Sequence, residues 1–220
     1  SPPTTRRFSV KPTASSEEIV ATVRDFVERE IYPHEDFVEH TGEVPAEIQA
    51  DVSRDRQARQ LIDRAVARFN RLDILINNAG WTRFIPHDEL EALSEEILEN
   101  TWSVTVKAPI YCTRAAVPHL RKNGAGAVIN ITSSAAYTAM GSSVIYCAAK
   151  AALASITKSL ARSLAPEIRV NAIAPGFIIT EMTAKLPEDV RKSWEEQIPL
   201  RRGGTPGDVA NTALYLASEL

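Results

Sequence analysis

The sequence predicts an α/β fold: an incomplete parallel sheet of about three strands with flanking helices, preceded by an N-terminal helical segment. Three observations predict it. Short apolar runs at residues 73–77, 127–132 and 168–174 have the length and continuity of strands buried on both faces. Stretches of helical period alternate with them, as right-handed parallel crossovers require. Each run ends in small or amide residues: Asn77-Asn78-Ala79-Gly80, Thr132-Ser133 and Pro175-Gly176. That alternation is the pattern of a Rossmann-type sheet, in which ligands bind beyond the carboxyl ends of the strands. The chain divides at about residue 50 into a helical segment (1–50) and an α/β domain (51–220).

In chain order, residues 1–14 are rich in proline and threonine and read as an extended lead-in. Ser15 and Glu18 have capping-box spacing, and Ile19, Val23, Phe26, Val27 and Ile31 form a helical stripe that stops at Pro33. A turn at Thr41-Gly42 and a short segment from Val44 follow. Residues 54–70 predict an amphipathic helix with Leu61, Ile62, Val66 and Phe69 inward. After the strand at 73–77 and a loop holding Trp81 and Phe84, helices are expected over 88–99 and 101–122. Residues 123–126 form a turn into the second strand. The next helix runs to about Leu164, with Ala148, Ala149, Ala151, Ala152 and Ala154 keeping it slim.

Composition narrows the function. With 220 residues, 44% of them hydrophobic, the chain can bury one large core. Net charge is −3 with basic residues scattered among acidic ones, so no nucleic-acid surface is expected. No apolar run reads as a membrane span, and the polar N-terminus does not read as a signal peptide; a cytoplasmic protein with no membrane partner is expected. Cys112 and Cys147 read as buried reduced thiols. His34 and His40, six residues apart, fall on different helix faces, so no metal site is expected.

The chemistry lies in residues 133–150. Tyr146 and Lys150 are one helical turn apart on one face. An ammonium beside a phenol favours the phenolate and should draw its pKa down from about 10 towards neutrality. Ser133 precedes Tyr146 by thirteen residues, far enough to sit at a strand end and hold the oxygen that the tyrosine protonates. Taken singly, each has a plainer account: a surface pair that snorkels, a helix cap, and, for Asn77 and Asn78, an ordinary turn. Their convergence at the strand ends favours an active site.

Several further words carry a family resemblance: Asp51-Val52, Asn77-Asn78-Ala79-Gly80, Asn130-Ile131-Thr132-Ser133, Tyr146-Cys147-Ala148-Ala149-Lys150, Arg169-Val170-Asn171, Pro175 through Thr180 and Gly204-Thr205-Pro206. In order and spacing, residues 51–220 resemble the short-chain dehydrogenase/reductase family, in particular its 3-oxoacyl-carrier-protein reductase-like members. The resemblance implies Tyr146 as general acid/base and Ser133 as binder of the substrate oxygen. Lys150 would depress the tyrosine pKa and hold the nicotinamide ribose. Asp51 and Val52 would touch adenine, and Asn78, Ala79 and Gly80 the adenosine side. Ile178 and Thr180 would meet the carboxamide, beside Pro175 and Gly176. It implies NAD or NADP as cofactor, a small carbonyl or alcohol substrate, a lid over about 177–200, and a homo-oligomer built through the helices at 101–122 and 143–164. Trp81, Trp102, Met140, Phe177, Met182 and Trp194 are candidate pocket residues, with core packing the default for each.

The sequence also departs from that family. Gly42 is the only glycine before Gly80, so the glycine-rich phosphate-binding turn and the first strands have no counterpart. Residues 15–49 instead resemble the N-terminal helices of acyl-CoA dehydrogenases, without that family's flavin residues. The strand at 73–77 is thereby expected to carry an open edge. The family's relay asparagine aligns with Thr105. The sequence thus supports an NAD(P)-dependent oxidoreductase, with a cofactor-deficient scaffold as the alternative and an acyl-CoA-binding protein as a distant third.

Overall fold

A computed structural model describes residues 49–122, 124–180, 183 and 186–218. The helical segment expected over residues 15–48, with His34 and His40, lies outside these, as do Met182, Glu219 and Leu220. Among the described residues the elements run α1 (Asp55–Phe69), β1 (Ile74–Asn77), a 3-10 turn (Leu90–Ala92), α2 (Glu95–Trp102) and a π-turn (Ser103–Lys107). They continue through α3 (Ala108–Lys122), β2 (Gly126–Ile131), α4 (Ala135–Thr138), α5 (Val144–Leu164), β3 (Ile168–Ile173), α6 (Glu188–Gln197) and α7 (Pro206–Ala217).

The sheet is parallel, in the order β1-β2-β3. Asn77 lies beside Asn130, and Ile131 beside Ile173, so the three carboxyl ends are level. Ile62 of α1, Ala116 and Leu120 of α3, Val128, Ile168 and Val170 form the core on one face, closed by Leu160, Ala161 and Leu164 of α5. On the other face Ile129 and Ile173 pack against Ala213 of α7. Each strand is buried on both faces only where both layers reach it, and β1 is where the second layer fails. Ile74 and Ile76 are 44% and 47% exposed, and among the described residues β1 pairs with β2 alone, the open edge the sequence implied.

Local chemistry explains most element ends. Asn70 closes α1 in the left-handed region at φ 56°. Thr205 and Asp208 form a reciprocal capping box at the start of α7, with Pro206 in its first turn. At the other end of α7, the Arg169 guanidinium donates to the carbonyls of Leu216, Ala217 and Ser218. Gly126 is obligatory, because a Cβ there would stand 2.8 Å from Leu120 Cβ.

Four expectations change. Phe69 is 47% exposed, with the Arg68 guanidinium over its ring, whereas the buried face of α1 is Ala58 and Ile62. In place of a helix over 88–99 and a second from 101, the helix begins at Glu95 and continues to Lys122 through the π-turn. Ala148 and Ala151 are exposed, so the slim side of α5 is made by the buried Ala149 and Ala154 with the half-buried Ala152. Finally, α5 is by length and composition apolar enough to cross a membrane, contrary to the reading that no run qualified. Its apolar side is used here as core, with Cys147, Ala149, Leu153 and Ala154 buried.

Leu120 is fully buried at the centre of the larger cluster. Leu120→Ala is expected to cost about 2–5 kcal/mol, read as a lower urea midpoint with an unchanged m-value.

Candidate active site

The level strand ends are stitched to one another. Thr132 donates from both its backbone N and its Oγ1 to the Ile173 carbonyl, at 2.8 Å each, and Ser134 N donates to the Pro175 carbonyl at 2.8 Å. Below them runs a chain of amides: Asn77 Nδ2 donates to Asn130 Oδ1 at 2.8 Å, and Asn130 Nδ2 to Thr157 Oγ1 at 2.9 Å. Asn77 Nδ2 also meets Thr113 Oγ1 at 3.3 Å. Asn130 is 1% exposed, so its partners are what make it tolerable. The chain joins β1 and β2 to α3 and α5.

On this platform α5 presents Tyr146 and Lys150. The helix start is fixed by Ser143, fully buried, whose hydroxyl accepts from Tyr146 N at 3.3 Å. A buried cap on the tyrosine's own backbone fixes the first turn from which the phenol projects. Gly141 closes the other side: a Cβ there would stand 3.1 Å from Tyr146 Cδ1 and 2.9 Å from Cys147 Sγ. The phenol lies near enough to the Ser133 hydroxyl for that group to favour the phenolate. Ser133 Oγ also accepts from Ala135 N at 3.2 Å, so it is both a site residue and the cap of α4. Lys150, 4% exposed, donates from Nζ to the Ile131 carbonyl at 2.7 Å, and its ammonium lies 5.7 Å from the Tyr146 ring centroid. Sequence-predicted Ser133, Tyr146 and Lys150 therefore meet at the ends of β2 and β3.

The electrostatics differ from expectation. Burial pushes the Tyr146 phenol above its ordinary range, and the Ser133 hydrogen bond offsets this only in part. The predicted fall towards neutrality does not occur, for a geometric reason. Lys150 directs its bonded proton to a backbone carbonyl, and burial draws its own pKa down to about 8, so its charge is itself disfavoured. Burial likewise raises Cys112 to about 11 and Cys147 above its ordinary value; both are unreactive free thiols.

The fit to a nicotinamide cofactor is uneven. Asn78, Ala79 and Gly80 are exposed at the end of β1, and the place a Gly80 Cβ would occupy is 3.8 Å from Lys150 Nζ. Gly176 likewise leaves open space beside the Ser134 hydroxyl, at 4.0 Å. Two absent side chains thus leave room where a ribose and nicotinamide would reach the lysine. Ile178 is held in a parallel bridge to Gly204, and Thr180 N donates to Thr183 Oγ1 at 2.7 Å. The adenosine side is different. Among the described residues Asp51 makes only local bonds, to Ser53, Gln57 and Arg54, in the turn that leads into α1, and Val52 sits in the same turn; neither bonds to another site residue. Among the described residues, none forms a phosphate-binding turn.

Sequence reasoning missed three features. The Ser143 cap had a signal, a serine three residues before Tyr146. So did the capping box of α7, in Thr205-Pro206-Gly207-Asp208. The ring cluster of Phe84, Phe177 and Trp194 had none, because it joins three distant segments. Thr105 is fully buried in the π-turn, which packs against α5, and its Oγ1 has no protein partner. The threonine at the asparagine position therefore keeps a polar atom unpaired among the described residues, at a bulge of the kind found at functional sites.

Because Lys150 is depressed from 10.5 to about 8, the folded state releases its proton before the unfolded state does. The burial penalty is present in full below pH 8 and is lost as pH rises to about 10.5. Lys150→Met is expected to remove a rise in stability over that window of at most about 3 kcal/mol, measured by urea unfolding of both proteins at pH 7, 8.5 and 10.

Comparison with known proteins gives one family. The family model described as "Enoyl-(Acyl carrier protein) reductase" matches residues 18–220. Ketoacyl reductase 2 of the granaticin polyketide synthase of Streptomyces violaceoruber is 41% identical over 175 residues, 77% of this chain and 69% of that protein. The 3-oxoacyl-(acyl-carrier-protein) reductase FabG of Chlamydia pneumoniae is 38% identical over 173 residues, covering 78% and 68%. Among solved structures, a short-chain dehydrogenase/reductase of Burkholderia xenovorans superposes with a TM-score of 0.70 at 38% identity, covering 76% of this chain and 66% of that one. The chain thus spans about two thirds of the length of these relatives. With its parallel sheet, its Ser133–Tyr146–Lys150 constellation and these matches, the chain belongs to the short-chain dehydrogenase/reductase family of NAD(P)-dependent oxidoreductases, among its 3-oxoacyl-carrier-protein reductase-like members.

Proposed function

We infer that this chain reduces a carbonyl group on a small-molecule substrate, with NADH or NADPH as the reductant. The observation that carries the reading is the gathering of Ser133, the Tyr146 phenol and a buried Lys150, bonded to the Ile131 carbonyl, at the level ends of a parallel sheet. When bound, a nicotinamide cofactor supplies the hydride. Ser133 holds the substrate oxygen, and Tyr146 gives that oxygen a proton. Lys150 is close enough to the open space beside Gly80 to hold a ribose hydroxyl.

The reductive direction follows the names of the reductases reported above; in it Tyr146 gives up a proton, and in alcohol oxidation it would accept one. Residues 51–220 are the catalytic domain in this reading and residues 1–50 an appended segment. Asp51, Val52, Asn78, Ala79, Gly80, Pro175, Gly176, Ile178 and Thr180 are the cofactor contacts it assigns. In this reading the chain acts as a cytoplasmic homo-oligomer. The scaffold alternative draws on the missing phosphate-binding turn and on Thr105, and the assembled constellation weighs against it.

Titration of the chain with NADH and with NADPH, read by energy transfer from its three tryptophans, tests cofactor binding. Saturable binding is expected; none up to millimolar concentration overturns the reading. Tyr146→Phe is expected to lower turnover by roughly a hundredfold or more with cofactor affinity nearly unchanged. A mutant that kept its rate would remove Tyr146 from the chemistry.

A further inference from the structure

Tyr146 stands in the first turn of α5, where backbone N–H groups have no carbonyl of their own helix to bond. Its place is therefore set by the turn before it, residues 139–143, more than by the body of the helix. That turn leaves α4 at Ala139, in the left-handed region at φ 54°, and ends in the Ser143 cap. Gly141 is its point of contact with the phenol. The place a Gly141 Cβ would occupy is 3.1 Å from Tyr146 Cδ1, 2.9 Å from Cys147 Sγ and 3.0 Å from Ala135 Cβ. The backbone at Gly141 thus lies close against the tyrosine ring, and a shift of the turn is a shift of the ring's support.

The turn is held from outside, by the loop that leaves β1. Ile85 N donates to the Ser142 carbonyl at 2.8 Å, the Thr82 and Ser142 hydroxyls meet at 2.6 Å, and His87 Nε2 lies 3.1 Å from the Gly141 carbonyl. Ile85, 8% exposed, pins the loop into the body. The loop starts at Gly80, beside Lys150, so one segment reaches from the lysine to the turn before the tyrosine. The three bonds are not equivalent. The Ile85 bond joins two backbone groups and would survive most side-chain changes. His87 is exposed, where water competes for the same carbonyl. The hydroxyl pair is the shortest of the three and half-buried, and it exists only because a threonine and a serine stand 60 residues apart in the chain. Removing one partner leaves the other hydroxyl short of a bond where water replaces it poorly.

We propose that Thr82 and Ser142 are positioning residues, whose hydroxyl–hydroxyl bond braces the turn against the loop and so fixes where the Tyr146 phenol delivers its proton. Neither acts on the substrate; both act through the Gly141 backbone and the Ser143 cap. The catalytic part rests on the oxidoreductase reading; the mechanical part does not.

Variants of the full chain test the brace. Thr82→Val keeps the shape of the side chain and removes its hydroxyl, Thr82→Ser keeps the hydroxyl, and Ser142→Ala removes the partner. In Thr82→Val the amides of Tyr146 and Cys147 are expected to exchange about tenfold faster, with β2 amides unchanged and Thr82→Ser close to the parent. Unchanged exchange at Tyr146 and Cys147 overturns the brace, whether or not the protein turns over. If Thr82→Val also loosens β2, Ser142→Ala breaks the same bond from the other side and decides by the same criterion. For turnover of a ketone, Thr82→Val and Ser142→Ala are each expected to lower kcat about tenfold and their combination no further. KM and the affinity for NADH or NADPH are expected to move less than about twofold, and Thr82→Ser to keep the parent rate. Losses that multiply in the combined variant, or an unchanged kcat beside faster exchange, overturn the positioning role. Faster exchange in a chain with no turnover on any ketone leaves the brace standing and removes the oxidoreductase reading.

Discussion

The structure depends on one buried ammonium. Lys150 is 4% exposed and ion-pairs with no described carboxylate, so the carbonyl of Ile131 carries its stabilisation. That carbonyl belongs to the last residue of β2, where a parallel ladder has run out. A strand end and a lysine with an incomplete set of partners thus meet each other's needs. The cost of burying the charge is visible in the depressed pKa of the lysine. The residues around it follow from that placement: the phenol one turn earlier, the serine just beyond the same strand, and a glycine at the end of β1 that leaves the third side open.

This arrangement gives the site an acid at rest. Burial of the phenol outweighs the nearby cation because the cation is engaged elsewhere and is itself only weakly held in charged form. Ligand binding that drew Lys150 away from Ile131 towards a ribose would strengthen the coupling between the two groups. The resting protonation and the reactive one need not be the same, and a single side chain can control the change by its choice of hydrogen-bond acceptor.

The region proposed for the cofactor is unequally built. The side nearest Lys150 lies at the ends of three strands. Asp51 and Val52, proposed for the adenosine side, sit in a turn whose bonds among the described residues are local. The same asymmetry marks the sheet, closed by helices across β2 and β3 and thin at β1, where two isoleucines face outward.

Much of this was legible in the sequence. Apolar continuity located all three strands to within a residue or so, because a strand buried on both faces admits little else. The four-residue spacing of Tyr146 and Lys150 fixed their shared face, and the small residues at the strand ends located the site. Local patterns could not decide matters of competition. Whether the ammonium or the desolvation governs Tyr146 depends on where Lys150 Nζ finds an acceptor, and that acceptor lies nineteen residues away on β2. Phe69 has the period of a core residue, yet only the position of neighbouring elements leaves it exposed. The ring cluster of Phe84, Phe177 and Trp194 likewise arises from segments that meet only after folding. Sequence determined the elements and the shared face of Tyr146 and Lys150, since these follow from spacing along one chain. Tertiary structure decided their burial and hydrogen-bond partners, since these depend on groups that only packing brings near.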